Sequence, residues 1–165
     1  MIRGKALAAL AALLAASGCV STAGGENPVV SMPTVGEVAG VMHDFGHRTR
    51  LGRDSAGGPA LVANEGGDNF VVLFYDCSGE GAAARCTGAE LNASYPLRET
   101  IPLARINEIN RNYRLAKAYL KDDGEPALSM ALNTGGTFAA GNLADSLEWW
   151  QVAMRGFEED IGWKR

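Results

Sequence analysis

The chain is short of the side chains that most active-site chemistry needs. Its 165 residues hold only two histidines, His43 and His47, and three cysteines, Cys19, Cys77 and Cys86. No second Cys or His pair with suitable spacing lies near Cys77 and Cys86, which argues against a zinc site there. Basic residues are also scarce: 15 Lys and Arg stand against 19 Asp and Glu, for a net charge of −4. That balance argues against a nucleic-acid binder, which would show a basic face, and against a polybasic membrane patch. No apolar run reaches the roughly 20 residues of a membrane-spanning helix. Asp122-Asp123-Gly124-Glu125 falls far short of an EF-hand loop and reads as a turn. Asn133-Thr134-Gly135-Gly136 lacks the Lys and the spacing of a phosphate loop. No catalytic constellation emerges, and no cofactor or metal is expected.

What is present begins with an export signal. Arg3 and Lys5 make a positive start, Ala6 to Ala16 is an apolar run of Ala and Leu, and the small residues Ser17 and Gly18 follow. This is the three-part grammar of a secretory signal peptide. Its end, Ala16-Ser17-Gly18-Cys19, resembles the bacterial lipobox. In lipoproteins of that kind the Cys thiol receives a diacylglyceryl group, and cleavage frees an amine that is then acylated. The resemblance implies a mature chain that starts at Cys19, anchored by lipid in the bacterial cell envelope and facing the periplasm. An ordinary signal-peptidase cut near Ser17 or Ala23 is the alternative. Each buried CH₂ contributes about 0.8 kcal/mol, so two or three acyl chains retain a protein firmly.

The expected organisation is a signal over 1–18, a lipidated flexible tether over 19–32 rich in Ser, Gly, Asn and Pro, and one domain over 33–165. With Cys19 used by the anchor, Cys77 and Cys86 remain. An even number in an oxidising compartment points to a disulfide. Closing so short a loop stabilises by roughly 2–3 kcal/mol.

Within the domain the apolar spacing sets the elements. Val35, Val38, Val41 and Met42 mark a first helix, with Thr34 and Glu37 placed as a capping box and Gly46 as its stop. Arg48 to Arg53 and Pro59 to Asn64 read as strands. Phe70 to Cys77 is apolar almost throughout, which suits a central strand. Cys86 to Tyr95 returns as its hairpin partner. Leu103, Ile106, Ile109 and Tyr113 define a second helix entered through Pro102. Two alternating segments follow, Ala116 to Leu120 and Leu128 to Leu132, around the Asp122–Glu125 turn. Leu143, Leu147, Trp150, Met154, Phe157 and Ile161 form one stripe on a last helix, capped by Thr137 or Asn142. The expectation is an α+β domain: an antiparallel sheet packed with about three helices.

Three segments together resemble the YbjN family, described as bacterial sensory-transduction regulators. They are Asn69 to Cys77 with Cys86, Ile106-Asn107-Glu108-Ile109-Asn110 running into Ala116 to Leu120, and Pro126 to Leu132 followed by a Gly break and a helix with Trp150 and Phe157. Ile109 departs from the pattern, which has an aromatic there. The family is similar in fold to type III secretion chaperones, small α+β proteins that often dimerise and bind other proteins. The resemblance implies a binding or regulatory role and supplies no catalytic residue.

A few residues stand out beyond the framework. Trp149 and Val152 fall off the stripe of the last helix, and Trp is enriched at the centres of protein interfaces. Trp163 would extend the same patch, for an unidentified protein partner or a second copy in a homodimer. The competing reading lays Trp149 over a loop of its own chain. Asn107 and Asn110 sit in a helix where Asn is mildly unfavourable, and either bind a partner or bond a neighbouring segment. His43 and His47, at i and i+4, are the only clustered ligands for a metal or an acid–base pair, although Gly46 interrupts the helix between them. The anchor is tested directly: Cys19→Ala is expected to release soluble protein or to leave uncleaved precursor, read by membrane fractionation. Wild-type protein found wholly soluble would contradict it.

Overall fold

The computed structural model describes residues 29–65 and 68–164. The export signal, Cys19 and most of the expected tether lie outside the described residues. The elements in chain order are β1 (Val29–Ser31), α1 (Val35–Asp44), β2 (Arg48–Arg53), β3 (Pro59–Glu65), β4 (Asp68–Ser78), β5 (Arg85–Ser94), α2 (Leu103–Asn112), β6 (Lys117–Leu120), β7 (Pro126–Asn133), β8 (Thr137–Ala139) and α3 (Ala140–Ile161). Six strands form one antiparallel sheet in the order β2-β3-β4-β5-β7-β6, and β1 pairs with β8 in a separate ribbon. The fold class is α+β. The ribbon is a difference from the sequence reading, because Val29–Ser31 belongs to the segment expected as tether.

Local chemistry explains the first half. Thr34 Oγ1 accepts the Glu37 N–H at 3.0 Å, and Glu37 Oε2 accepts the Thr34 N–H at 2.6 Å, closing the capping box at the start of α1. These two bonds to Thr34 hold the Glu37 carboxyl below its ordinary pKa. Gly46 follows the helix at φ +87°, a conformation that favours glycine. Cys77 and Cys86 face each other in the β4–β5 register and are joined by a disulfide. The loop they close carries Ala84, whose carbonyl accepts the Val35 N–H at 2.9 Å. The stapled hairpin loop therefore docks on the first turn of α1.

The core lies between the sheet and the helices. Leu61, Ala63, Phe70, Val72, Phe74, Leu91, Leu128 and Met130 on the strands meet Val35, Val38 and Met42 of α1 and Leu147, Trp150, Met154 and Phe157 of α3. Phe70 and Trp150 pack edge to face, with ring centroids 5.9 Å apart. The α3 stripe matches the sequence reading, but its cap does not. Ala139 is the N-cap, without a side-chain bond, because Thr137 is drawn into β8 and the strand runs straight into the helix. Leu103 is exposed at the start of α2, so Ile106 and Ile109 alone carry that helix's buried face.

On β7 the alternation expected of Leu128, Met130 and Leu132 is lost in part, because Ala127 and Ser129 on the opposite face are buried too. Asn92 on β5 donates through Nδ2 to the Tyr119 hydroxyl on β6 at 2.7 Å, and β7 lies between those two strands. Small residues fit beneath that bridge.

The free edge of β6 is closed by one side chain. Ala118 is paired in register with Leu128 on β7. Its N–H donates to Asn110 Oδ1 at 2.8 Å, and its carbonyl accepts from Asn110 Nδ2 at 2.9 Å. A carboxamide offers one donor and one acceptor in the same geometry as a peptide group, so Asn110 replaces a further strand at this position. Asn107, three residues earlier, is exposed. Asn110→Ala should lower stability by about 2 kcal/mol, since it strands two backbone groups of a buried residue. Asn107→Ala should change it by less than about 0.5 kcal/mol. Urea unfolding of the two variants checks the contrast, and equal midpoints would refute it.

Candidate interaction groove

The residues that follow α2 form one bank of an apolar groove, and the flank of α3 forms the other. Leu115 and Ala116 sit on the first bank, Trp149, Val152 and Gly156 on the second, and Met130 of β7 lies at the floor. The enclosed volume is about 690 Å³. Three large apolar side chains stand at its rim: Leu115 is 61% exposed, Trp149 59% and Val152 55%. Trp149 and Val152 are there because of helical geometry. Successive residues point about 100° apart, so with Trp150 fully buried its neighbour must emerge on the flank. The sequence reading missed Leu115. It falls where a helical period changes to a strand period, and such a junction carries no sign of which way the side chain points.

The two banks are tied together at one end. Arg105 Nη2 donates to Asp160 Oδ1 at 2.9 Å, and the Tyr113 hydroxyl donates to Asp160 Oδ2 at 3.3 Å. Burial, and then the Asp160 charge, push the Tyr113 phenol above its ordinary pKa, so it stays a donor. Gly156 allows the approach: a Cβ there would lie 2.6 Å from the Tyr113 hydroxyl oxygen.

Charge divides along the groove. Arg111, Arg114 and Lys117 are exposed on or beside the first bank. Asp145, Glu148 and Glu159 are exposed on α3, spaced three, four or seven residues from Val152 or from one another. Arg155 shares that ridge and leaves it net acidic.

Trp163 does not extend this surface. It packs edge to face on Tyr95, with centroids 5.4 Å apart, and lines a different depression with Leu97 and Ile101. The helix ends at Ile161 with Gly162 left-handed, which turns Trp163 back against the core. The histidine pair is also separated. His43 is 80% exposed with Nδ1 3.9 Å from Asp44, whereas His47 is 2% exposed and packs edge to face on Phe70. Gly46 reverses the chain between them, so they do not face a common ligand. Among the described residues no three His, Cys, Asp or Glu side chains are grouped to hold a metal ion. No helix among them is long and apolar enough to cross a membrane.

A family model described as "YbjN: Putative bacterial sensory transduction regulator" matches residues 34–163. The chain belongs to the YbjN family. The match takes in the sheet, all three helices and both banks of the groove. No curated protein and no solved structure matches this YbjN chain, so the likeness to type III secretion chaperones gains no support from a solved neighbour.

The buried imidazole generates a pH prediction. Burial holds the His47 pKa below its ordinary 6.5. As pH falls below 6.5, the unfolded chain takes up a proton that the folded chain refuses, so stability falls with pH in that window. His47→Gln removes this one titration and should flatten the decline. Urea midpoints of both proteins between about pH 7.5 and 5 check it. Parallel profiles would show that His47 does not titrate this way.

Proposed function

We propose that this YbjN-family protein is a lipid-anchored envelope protein that acts by binding another protein, in a regulatory and not an enzymatic role. The observation that carries the reading is the gathering of Leu115, Trp149 and Val152 on one groove, from segments far apart in the chain. Folding leaves three large apolar side chains in water at a cost of roughly 25 cal/mol per Å² of apolar surface, which docking would recover. The family's description as a regulator supports the same reading. The separation of His43 from His47 removes the one pair on which an enzymatic or metal-binding alternative rested.

Placement in the envelope rests on the sequence before the domain. Arg3 and Lys5, the apolar run to Ala16 and the lipobox-like Ala16 to Cys19 support export, anchoring through Cys19 and a domain facing the periplasm. Likeness to type III secretion chaperones belongs to this proposal as well: a small α+β protein that presents an apolar surface to other proteins.

The docking reading is tested by a photo-crosslinking side chain at Val152 in intact envelopes. Protein adducts are expected there. They should be absent when the same group replaces Leu103, which is equally exposed but lies outside the groove. Trp149→Ser should reduce the Val152 adducts several-fold and leave the melting temperature nearly unchanged. Adducts of equal yield at both positions would overturn the proposal.

A further inference from the structure

We infer that the occupant of this groove is a second copy of the same chain, paired about a two-fold axis that runs along the groove. The inference rests on the reading of the groove as a docking surface and names the partner. Two independent features of the surface point to it.

The first is shape. Trp149 stands at the rim of a depression of about 690 Å³, next to a floor made of the small residues Ala153 and Gly156 with Met130. An indole side chain is smaller than that volume. The protrusion and the recess that would receive it therefore lie side by side on one surface. An isologous interface requires this arrangement, because each copy must supply both the knob and the hole.

The second is charge. The bank after α2 is basic, with Arg111, Arg114 and Lys117, and the α3 bank is net acidic, with Asp145, Glu148 and Glu159 against Arg155. A two-fold axis along the groove brings the basic bank of each copy against the acidic bank of the other. An axis across the groove sets like charges face to face, which is unfavourable. A different protein would need to carry the complementary division of charge on its own surface, whereas a second copy has it already. The Tyr113–Asp160–Arg105 cluster keeps Asp160 occupied within its own chain, so it does not disturb this division.

Sedimentation equilibrium of the full chain in density-matched detergent tests the inference. The wild type is expected to show a monomer–dimer equilibrium. Trp149→Asp should raise the dissociation constant about a hundredfold, by placing a charge in the recess. Arg114→Glu and Glu148→Arg should each raise it about tenfold. The double variant Arg114→Glu/Glu148→Arg should return it close to wild type, because the banks are exchanged and still oppose each other. Should Trp149→Asp fail to fold, the charge variants, at exposed sites outside the core, carry the test alone. A wild type that stays monomeric at about 100 µM overturns the inference. So does a dimer that no variant weakens, or a double variant as weak as the singles. If the wild type is monomeric while the Val152 crosslinker still traps protein, the groove serves another partner and only the second-copy assignment fails. If Val152 traps nothing beyond Leu103, the docking reading itself fails.

Discussion

The packing of Trp150 against Phe70 sets the rotation of α3, and much of the molecular surface follows from that rotation. Trp150 is fully buried at the centre of the helix, between Leu147 and Met154, with its ring edge to face on the central strand. A helix held this way by a large, rigid side chain cannot roll without opening a cavity. Its remaining faces are then determined residue by residue. Phe157 goes down onto Tyr95, the acidic ridge goes out to solvent, and Trp149 with Val152 goes to the flank. The exposed tryptophan is thus the geometric consequence of the buried one beside it.

The facing bank owes its position to polar chemistry. β6 is a four-residue strand at the edge of the sheet. Asn110 binds both backbone groups of Ala118 and so fastens α2 along that edge. Arg105 and Tyr113 fasten the same helix to Asp160 at the far end of α3. Gly156 leaves room for the Tyr113 hydroxyl. Between these two attachments the chain from Asn112 to Ala116 spans the gap, and Leu115 is left facing outward. The exposed ion pairs contribute little energy individually, since water screens them. Their contribution is orientation, together with the amide clamp on the strand.

The distribution of function-bearing groups fits a docking protein. Asp160 and Asn110 are engaged within the fold, His47 is packed against Phe70, and the two cysteines of the domain are spent on the β4–β5 hairpin. The exposed apolar area is instead concentrated between two banks of opposite charge. Such a surface favours proteins and selects among them by charge, with a reach of about 8 Å at physiological salt.

The sequence alone determined the regular elements and most of the core, because these depend on local periodicity and turn chemistry. The stripe from Leu143 to Phe157, the capping box at Thr34 and Glu37, and the strand from Phe70 to Cys77 were all legible in this way. So was the emergence of Trp149 and Val152 from the stripe, since helical spacing is a local rule. Tertiary structure decided everything that depends on what lies across a gap. Leu115 joins Trp149 only because β6 folds back beside β7. Trp163 leaves the patch because Gly162 turns the chain back onto Tyr95. Asn110 is structural because an unpaired strand edge lies within its reach, while Asn107, on the same helix, meets solvent. Val29–Ser31 becomes a strand because β8 offers it a partner from more than a hundred residues away. Periodicity carries information over a few turns of chain; the partner of an edge, a rim or a terminus is settled only when distant segments meet.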